Sequence, residues 1–109
     1  MIRHIVLFSA QDPANVEAIR DGLLALGDIP HSSHFEVSIN RKIDQFANEI
    51  DVVVYAEFAS EADFAAYKAH PTYAATTAAV RPLRELRFAA DIVAQPQTTS
   101  RSKPKSLVA

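Results

Sequence analysis

Asp51-Val52-Val53-Val54-Tyr55-Ala56-Glu57-Phe58 is the stretch that decides the fold. In an extended chain, side chains alternate between two faces, so Val52, Val54, Ala56 and Phe58 share one side while Val53 and Tyr55 share the other. Both sides are apolar, which is the pattern of a strand covered on both faces and therefore central in its sheet. The N-terminal Ile2-Arg3-His4-Ile5-Val6-Leu7-Phe8 reads the same way, with Ile2, Val6 and Phe8 opposite Ile5 and Leu7. Two other extended stretches differ. From about His34 to Arg41, Phe35, Val37 and Ile39 oppose Glu36, Ser38 and Asn40; from about Leu86 to Val93, Leu86, Phe88, Ala90 and Ile92 oppose Arg87, Ala89, Asp91 and Val93. Strands with a more polar face belong at the edges of a sheet.

Helical patterns fill the gaps. Asp12-Pro13 starts a helix, with aspartate as cap and proline in the first turn. Val16, Ile19, Leu23 and Leu26 follow at helical spacing, and Gly27 marks the stop. Ser60-Glu61-Ala62-Asp63 resembles a capping box, and Phe64 and Tyr67 lie on one side of the helix behind it. His70-Pro71 interrupts that helix, and Pro71 opens a second piece running through Val80. The order is β-α-β-β-α-β, an α+β domain of ferredoxin-like topology with its first and third strands in the middle.

A chain of 109 residues makes one domain, predicted over residues 1–93. Residues 94–109 change character: Arg101, Lys103 and Lys105 sit among serine and proline, a flexible basic tail with too little apolar area to offset the entropy of ordering it. A formal charge of -2 gives no reason to expect nucleic acid or an anionic membrane as partner, and without cysteine there is no disulfide, thiolate metal site or thiol nucleophile. The first apolar run is too short for a signal peptide or a membrane span, so the expected location is cytoplasmic.

Two helical regions can cover one face of a four-stranded sheet, yet the central strands are apolar on both. Leaving Ile5, Leu7, Val53 and Tyr55 wet forfeits roughly 1.5–3 kcal/mol for each large side chain. A second copy placed sheet to sheet covers them, and two-fold pairing is the commonest way to do so. A cover made by the polar connection 43–50 and the tail is the competing reading.

These segments, in this order, resemble the stress-responsive dimeric A/B barrel (Dabb) family. The resemblance is carried by Ile2 to Phe8, by Asp51 to Phe58, by Tyr67-Lys68-Ala69-His70-Pro71 and by Arg81-Pro82-Leu83 with the strand closing at Asp91. It implies a homodimeric α+β barrel with the helices outside. The chain is also distantly similar to plant olivetolic acid cyclase, a member that closes a polyketide ring without metal or organic cofactor. In that enzyme a tyrosine matching Tyr67 holds the substrate's oxygens, and a histidine three positions beyond the His-Pro histidine is the general base. Here that position is Tyr73. A phenol titrating near pH 10 is a far poorer base at neutral pH than imidazole, so the cyclase reaction taken literally has lost its base.

Among candidate site residues, His4 shares a face with Val6 and Phe8 and is either a proton shuttle between sheet and helices or a core histidine with a polar partner. Asp63, Tyr67 and His70 recur at i, i+4 and i+7, so they are expected to share one helix face, which could bring a phenol and an imidazole to one carbonyl compound. His70, beside Pro71, is either a base or a partner for backbone groups at the helix break. Tyr67 is either a pocket residue or a core aromatic. His31 and His34, with Glu36 nearby, span a loop and a strand and lack a full metal ligand set. The expected function is a homodimer that binds an apolar, oxygen-bearing ligand lined by His4, Val6, Phe8, Tyr67 and Tyr73, with no metal and no cofactor. Two alternatives stay open. One is a cofactor-free proton-transfer enzyme of cyclase or isomerase type using His4, Tyr67 and His70; the other is a non-catalytic stress-associated oligomer.

Overall fold

The structure is a computed structural model describing residues 1–46 and 49–97. Four strands, β1 (Ile2–Ala10), β2 (His34–Ile39), β3 (Val52–Phe58) and β4 (Arg84–Val93), form one antiparallel sheet in the order β2-β3-β1-β4. The two strands apolar on both faces are central. Three helices, α1 (Val16–Leu23), α2 (Glu61–Ala69) and α3 (Pro71–Val80), make up the helical layer. The basic segment 98–109 lies outside the described residues, as do residues 47–48 of the β2–β3 connection.

The core sits between sheet and helices. From β1 it takes Ile2, Val6 and Phe8; from β3, Val52, Val54, Ala56 and Phe58; from the helical layer, Ile19, Leu23, Leu26, Ile29, Phe64, Tyr67 and Val80. Phe58 packs against Phe64 and Tyr67 with ring centroids 5.0 and 4.8 Å away, adding aromatic contact to simple burial.

Several boundaries move, each for a visible reason. β1 runs on to Ala10 through a register shift after Phe8, where the buried Ser9 hydroxyl accepts the Leu86 amide at 2.9 Å. β2 stops at Ile39 instead of Arg41, because Lys42 turns the chain with φ of 55°. The first helical region starts as a 3₁₀ turn at Pro13–Asn15, with the Asp12 carboxylate accepting the Ala14 amide, and ends in a 3₁₀ segment, Leu24–Asp28. Gly27 therefore does not end it, and its φ is not positive. A β-carbon there would lie 2.9 Å from the Phe35 ring of β2, so the missing side chain makes room for a close approach.

The two sheet faces are unlike. Partners across an antiparallel ladder share a side, so Ile5 with Ala90 and Leu7 with Phe88 and Val53 place an apolar patch on the face away from the helices. Phe88 keeps 55% and Ile92 47% of its surface exposed there. Toward β2 the same face is polar and paired within itself: the Tyr55 hydroxyl donates to Glu57 at 2.6 Å, and the His34 ring meets Glu36 at 3.0 Å. β4 consequently sends its apolar side outward and its polar side, Arg87 and Asp91, toward the helices.

Candidate functional site

Between sheet and helices lies a cavity of about 240 Å³. All five residues expected to line a ligand site, His4, Val6, Phe8, Tyr67 and Tyr73, line it. Each arrives by a local rule. The first three are alternate residues of β1, and Tyr67 stands one helical turn beyond Phe64 on the inward side of α2. Tyr73 sits in the first turn of α3, its ring 5.4 Å from that of Tyr67 and nearly edge-on to it.

His4 is buried, with its ring 5.0 Å from Phe64 and within 6.4 Å of Phe58 and Tyr67. Its Nδ1 is 2.5 Å from the Asp91 carboxylate on β4. A carboxylate only accepts, so the imidazole donates through Nδ1, which leaves Nε2 as the ring's acceptor in the neutral form. Asp91 escaped the sequence reading because it lies 87 residues from His4 and meets it only through the β1–β4 register. The one signal available was its alternation with Arg87 on a shared face.

The Tyr67 hydroxyl is fully buried and has no hydrogen-bond partner among the described residues. Burial pushes this phenol above its ordinary pKa; Tyr73 adds to the shift and the Arg87 guanidinium opposes it. At neutral pH it is a hydrogen-bond donor and no base. Arg81, Arg84 and Arg87 also line the cavity and were not anticipated, nor was Thr77.

His70 lies elsewhere. It takes extended backbone (φ -67°, ψ 140°) between α2 and α3, so the i, i+7 spacing from Asp63 does not hold it on the Tyr67 face. Its Nδ1 accepts the Thr72 amide at 3.1 Å, capping α3, and His70 is not part of the cavity lining. Asp63 gives its own amide to Ser60 Oγ in the cap of α2. His70→Ala is expected to cost about 1 kcal/mol in urea unfolding, the usual scale for a lost cap, and to leave ligand affinity within about twofold of wild type. Among the described residues, no three histidine, aspartate or glutamate side chains converge as a metal site.

A family model described as the stress responsive A/B barrel domain, Dabb, matches residues 2–94. The chain belongs to the Dabb family. Dabb proteins of known structure share its fold. A dimeric ferredoxin-like protein of unknown function from Thermobifida fusca is 30% identical, with a TM-score of 0.73 over 85% of this chain and 90% of that one. A Dabb family protein from Mesorhizobium loti is 27% identical, with a TM-score of 0.68 over 87% of this chain and 97% of that one. Hydroxynitrile lyase from Passiflora edulis, 17% identical with a TM-score of 0.73 over 90% and 96% of the two chains, shares the fold alone. No curated protein matches this sequence. No helix among the described residues is long and apolar enough to cross a membrane.

Proposed function

We propose that this Dabb protein is a cytoplasmic homodimer that holds a small, apolar, oxygen-bearing molecule between sheet and helices. The observation that carries the ligand reading is Tyr67. A buried hydroxyl without a partner costs about 1–3 kcal/mol, and a ligand oxygen accepting from it recovers that cost. The walls around it, Val6, Phe8, Val54 and Leu23, suit an apolar body.

The dimer reading rests on the outer face, where Ile5, Leu7, Val53, Phe88 and Ile92 form a contiguous apolar surface opposite the helices. On the same face, Arg3 has a buried Nε with no partner among the described residues, a donor that an acceptor on a second copy can satisfy. The similar ferredoxin-like protein from Thermobifida fusca is dimeric.

A second reading, cofactor-free proton transfer, is favoured by the His4–Asp91 pair. Asp91 holds the imidazole and stabilises the imidazolium that forms as Nε2 takes a proton from carbon beside a carbonyl. The protonated Tyr67 hydroxyl donates to the carbonyl oxygen as it gains enolate charge. His4 then returns the proton.

Both readings are tested with 4-hydroxyacetophenone. Calorimetric titration is expected to detect binding to the wild type and none to a variant whose cavity is filled by Val54→Phe. If binding survives the filled cavity, the ligand site lies elsewhere. The enzyme reading predicts protein-accelerated exchange of the ketone's α-protons for deuterium in heavy water. That acceleration is expected to fall by at least about a hundredfold in His4→Ala and in Asp91→Asn, the scale of a lost general base. Unchanged exchange in both variants sinks the enzyme reading and leaves the binding protein.

A further inference from the structure

We propose that the cavity is specific for a small organic acid, its apolar and oxygenated body inside and its carboxylate at the mouth against Arg81, Arg84 and Arg87. This rests on the ligand-site reading above and adds the chemical class of the ligand.

The charge on the cavity is lopsided. Its lining holds three arginines and, among the described residues, no aspartate or glutamate. Composition does not explain this, because acidic residues outnumber basic ones 13 to 11 over the chain. Nor do ion pairs. The carboxylates that pair in the structure do so with His4, Arg20, His34 and Lys42, and among the described residues none pairs with these three arginines. Lining one cavity, three like charges repel each other unless an anion sits among them.

Each arginine has a fixed origin. Arg81 caps the C-terminus of α3, where a cation also complements the helix dipole. That accounts for Arg81 alone. Arg84 opens β4, and Arg87 faces inward from β4 as the ladder partner of Phe8, an apolar residue that offers it nothing. Arg87 also acts on the Tyr67 phenol, holding back the upward push of burial, so its charge reaches the cavity interior.

Polarity is therefore ordered through the cavity. Hydrogen-bonding groups for oxygen, Tyr67 and His4, are buried in the lining among apolar side chains, whereas the guanidinium groups, which match carboxylates in a planar fork, belong to exposed Arg81 and Arg87 and half-buried Arg84. A volume of about 240 Å³ equals the liquid volume of about eight waters, room for a single small ring or a short chain.

The test compares 4-hydroxybenzoate with its neutral isostere 4-hydroxybenzamide, followed by calorimetry and by the tyrosine ring NMR signals. The acid is expected to bind roughly ten- to a hundredfold more tightly, the scale of charge-assisted hydrogen bonds, with the preference shrinking as salt is raised. The triple variant Arg81→Gln, Arg84→Gln, Arg87→Gln should bring the acid down to the amide's affinity and leave the amide within about twofold. The matching arginine-to-lysine triple, which keeps the charge, should retain part of the preference. Equal binding of acid and amide to the wild type, with the Tyr67 and Tyr73 signals shifting, overturns the acid class and leaves the cavity as a ligand site. Failure of both compounds to shift those signals overturns the proposal together with the ligand-site reading.

Discussion

Leu7→Asp is expected to convert a dimer into a folded monomer of 12.0 kDa, read by sedimentation at micromolar concentration. Leu7 stands mid-strand in β1 with Val53 on one side and Phe88 on the other, at the centre of the apolar outer face. In a sheet-to-sheet dimer the two-fold axis brings this patch against its own copy, so one substitution places two carboxylates in the contact. Losing a central apolar anchor and burying an unpaired charge weakens association by roughly a thousandfold or more. β1 is central, so the substitution also touches the sheet, and Phe88→Asp supplies the control. Phe88 is on an edge strand and 55% exposed in the single chain, so its replacement spares the fold while attacking the same contact. Circular dichroism of both variants should match wild type. A wild-type species of 12.0 kDa, or dimers that survive both substitutions, removes the barrel.

Tyr67→Phe is expected to move stability and binding in opposite directions. The hydroxyl is buried with no partner among the described residues, so its removal relieves the desolvation cost of a stranded polar group while the ring keeps its contacts with Phe58, Phe64 and Tyr73. A gain of about 1 kcal/mol raises the melting temperature of a domain this size by about 4–8 °C. Both proteins must be compared at equal concentration, because a dimer's midpoint depends on it. Affinity for 4-hydroxyacetophenone should fall about tenfold, the worth of one hydrogen bond to an otherwise unpaired buried group. A melting temperature that drops means the hydroxyl has a stabilising partner in the empty protein, and the argument from Tyr67 to a ligand fails. The stability–function conflict at a single oxygen is what a binding site predicts and a sealed core does not.

The parts of the site legible in the sequence were those set by short-range periodicity. His4, Val6 and Phe8 are on one face because they alternate in one strand, and Tyr67 joins Phe64 because a helix returns every three to four residues. His70 shows where periodicity stops. Its spacing from Tyr67 fits a helix face only while the helix continues, and Pro71 disfavours the helical backbone His70 would need. His70 therefore capped the next helix, one of the two roles left open for it. Gly27 was read as a helix stop from residue type alone. Its reason for being glycine is the Phe35 ring of another element, which no local pattern contains.

What the chain determined by itself was the βαββαβ order, the central position of β1 and β3, and the apolar surface on both their faces, since these follow from alternation and composition within single segments. Tertiary structure alone decided which way β4 faces. Its alternating sets, Leu86 to Ile92 and Arg87 to Val93, give no local preference for burying the first beneath the helices or turning it outward. Pairing with β1 made the choice, aligning Phe88 with Leu7, Asp91 with His4 and Arg87 with Phe8. That one register placed the apolar side on the outer face and delivered both a carboxylate to the imidazole and a guanidinium to the cavity. Hydrogen-bond register between strands some eighty residues apart is a property of the folded sheet, and a one-residue slip would have reversed every one of those assignments.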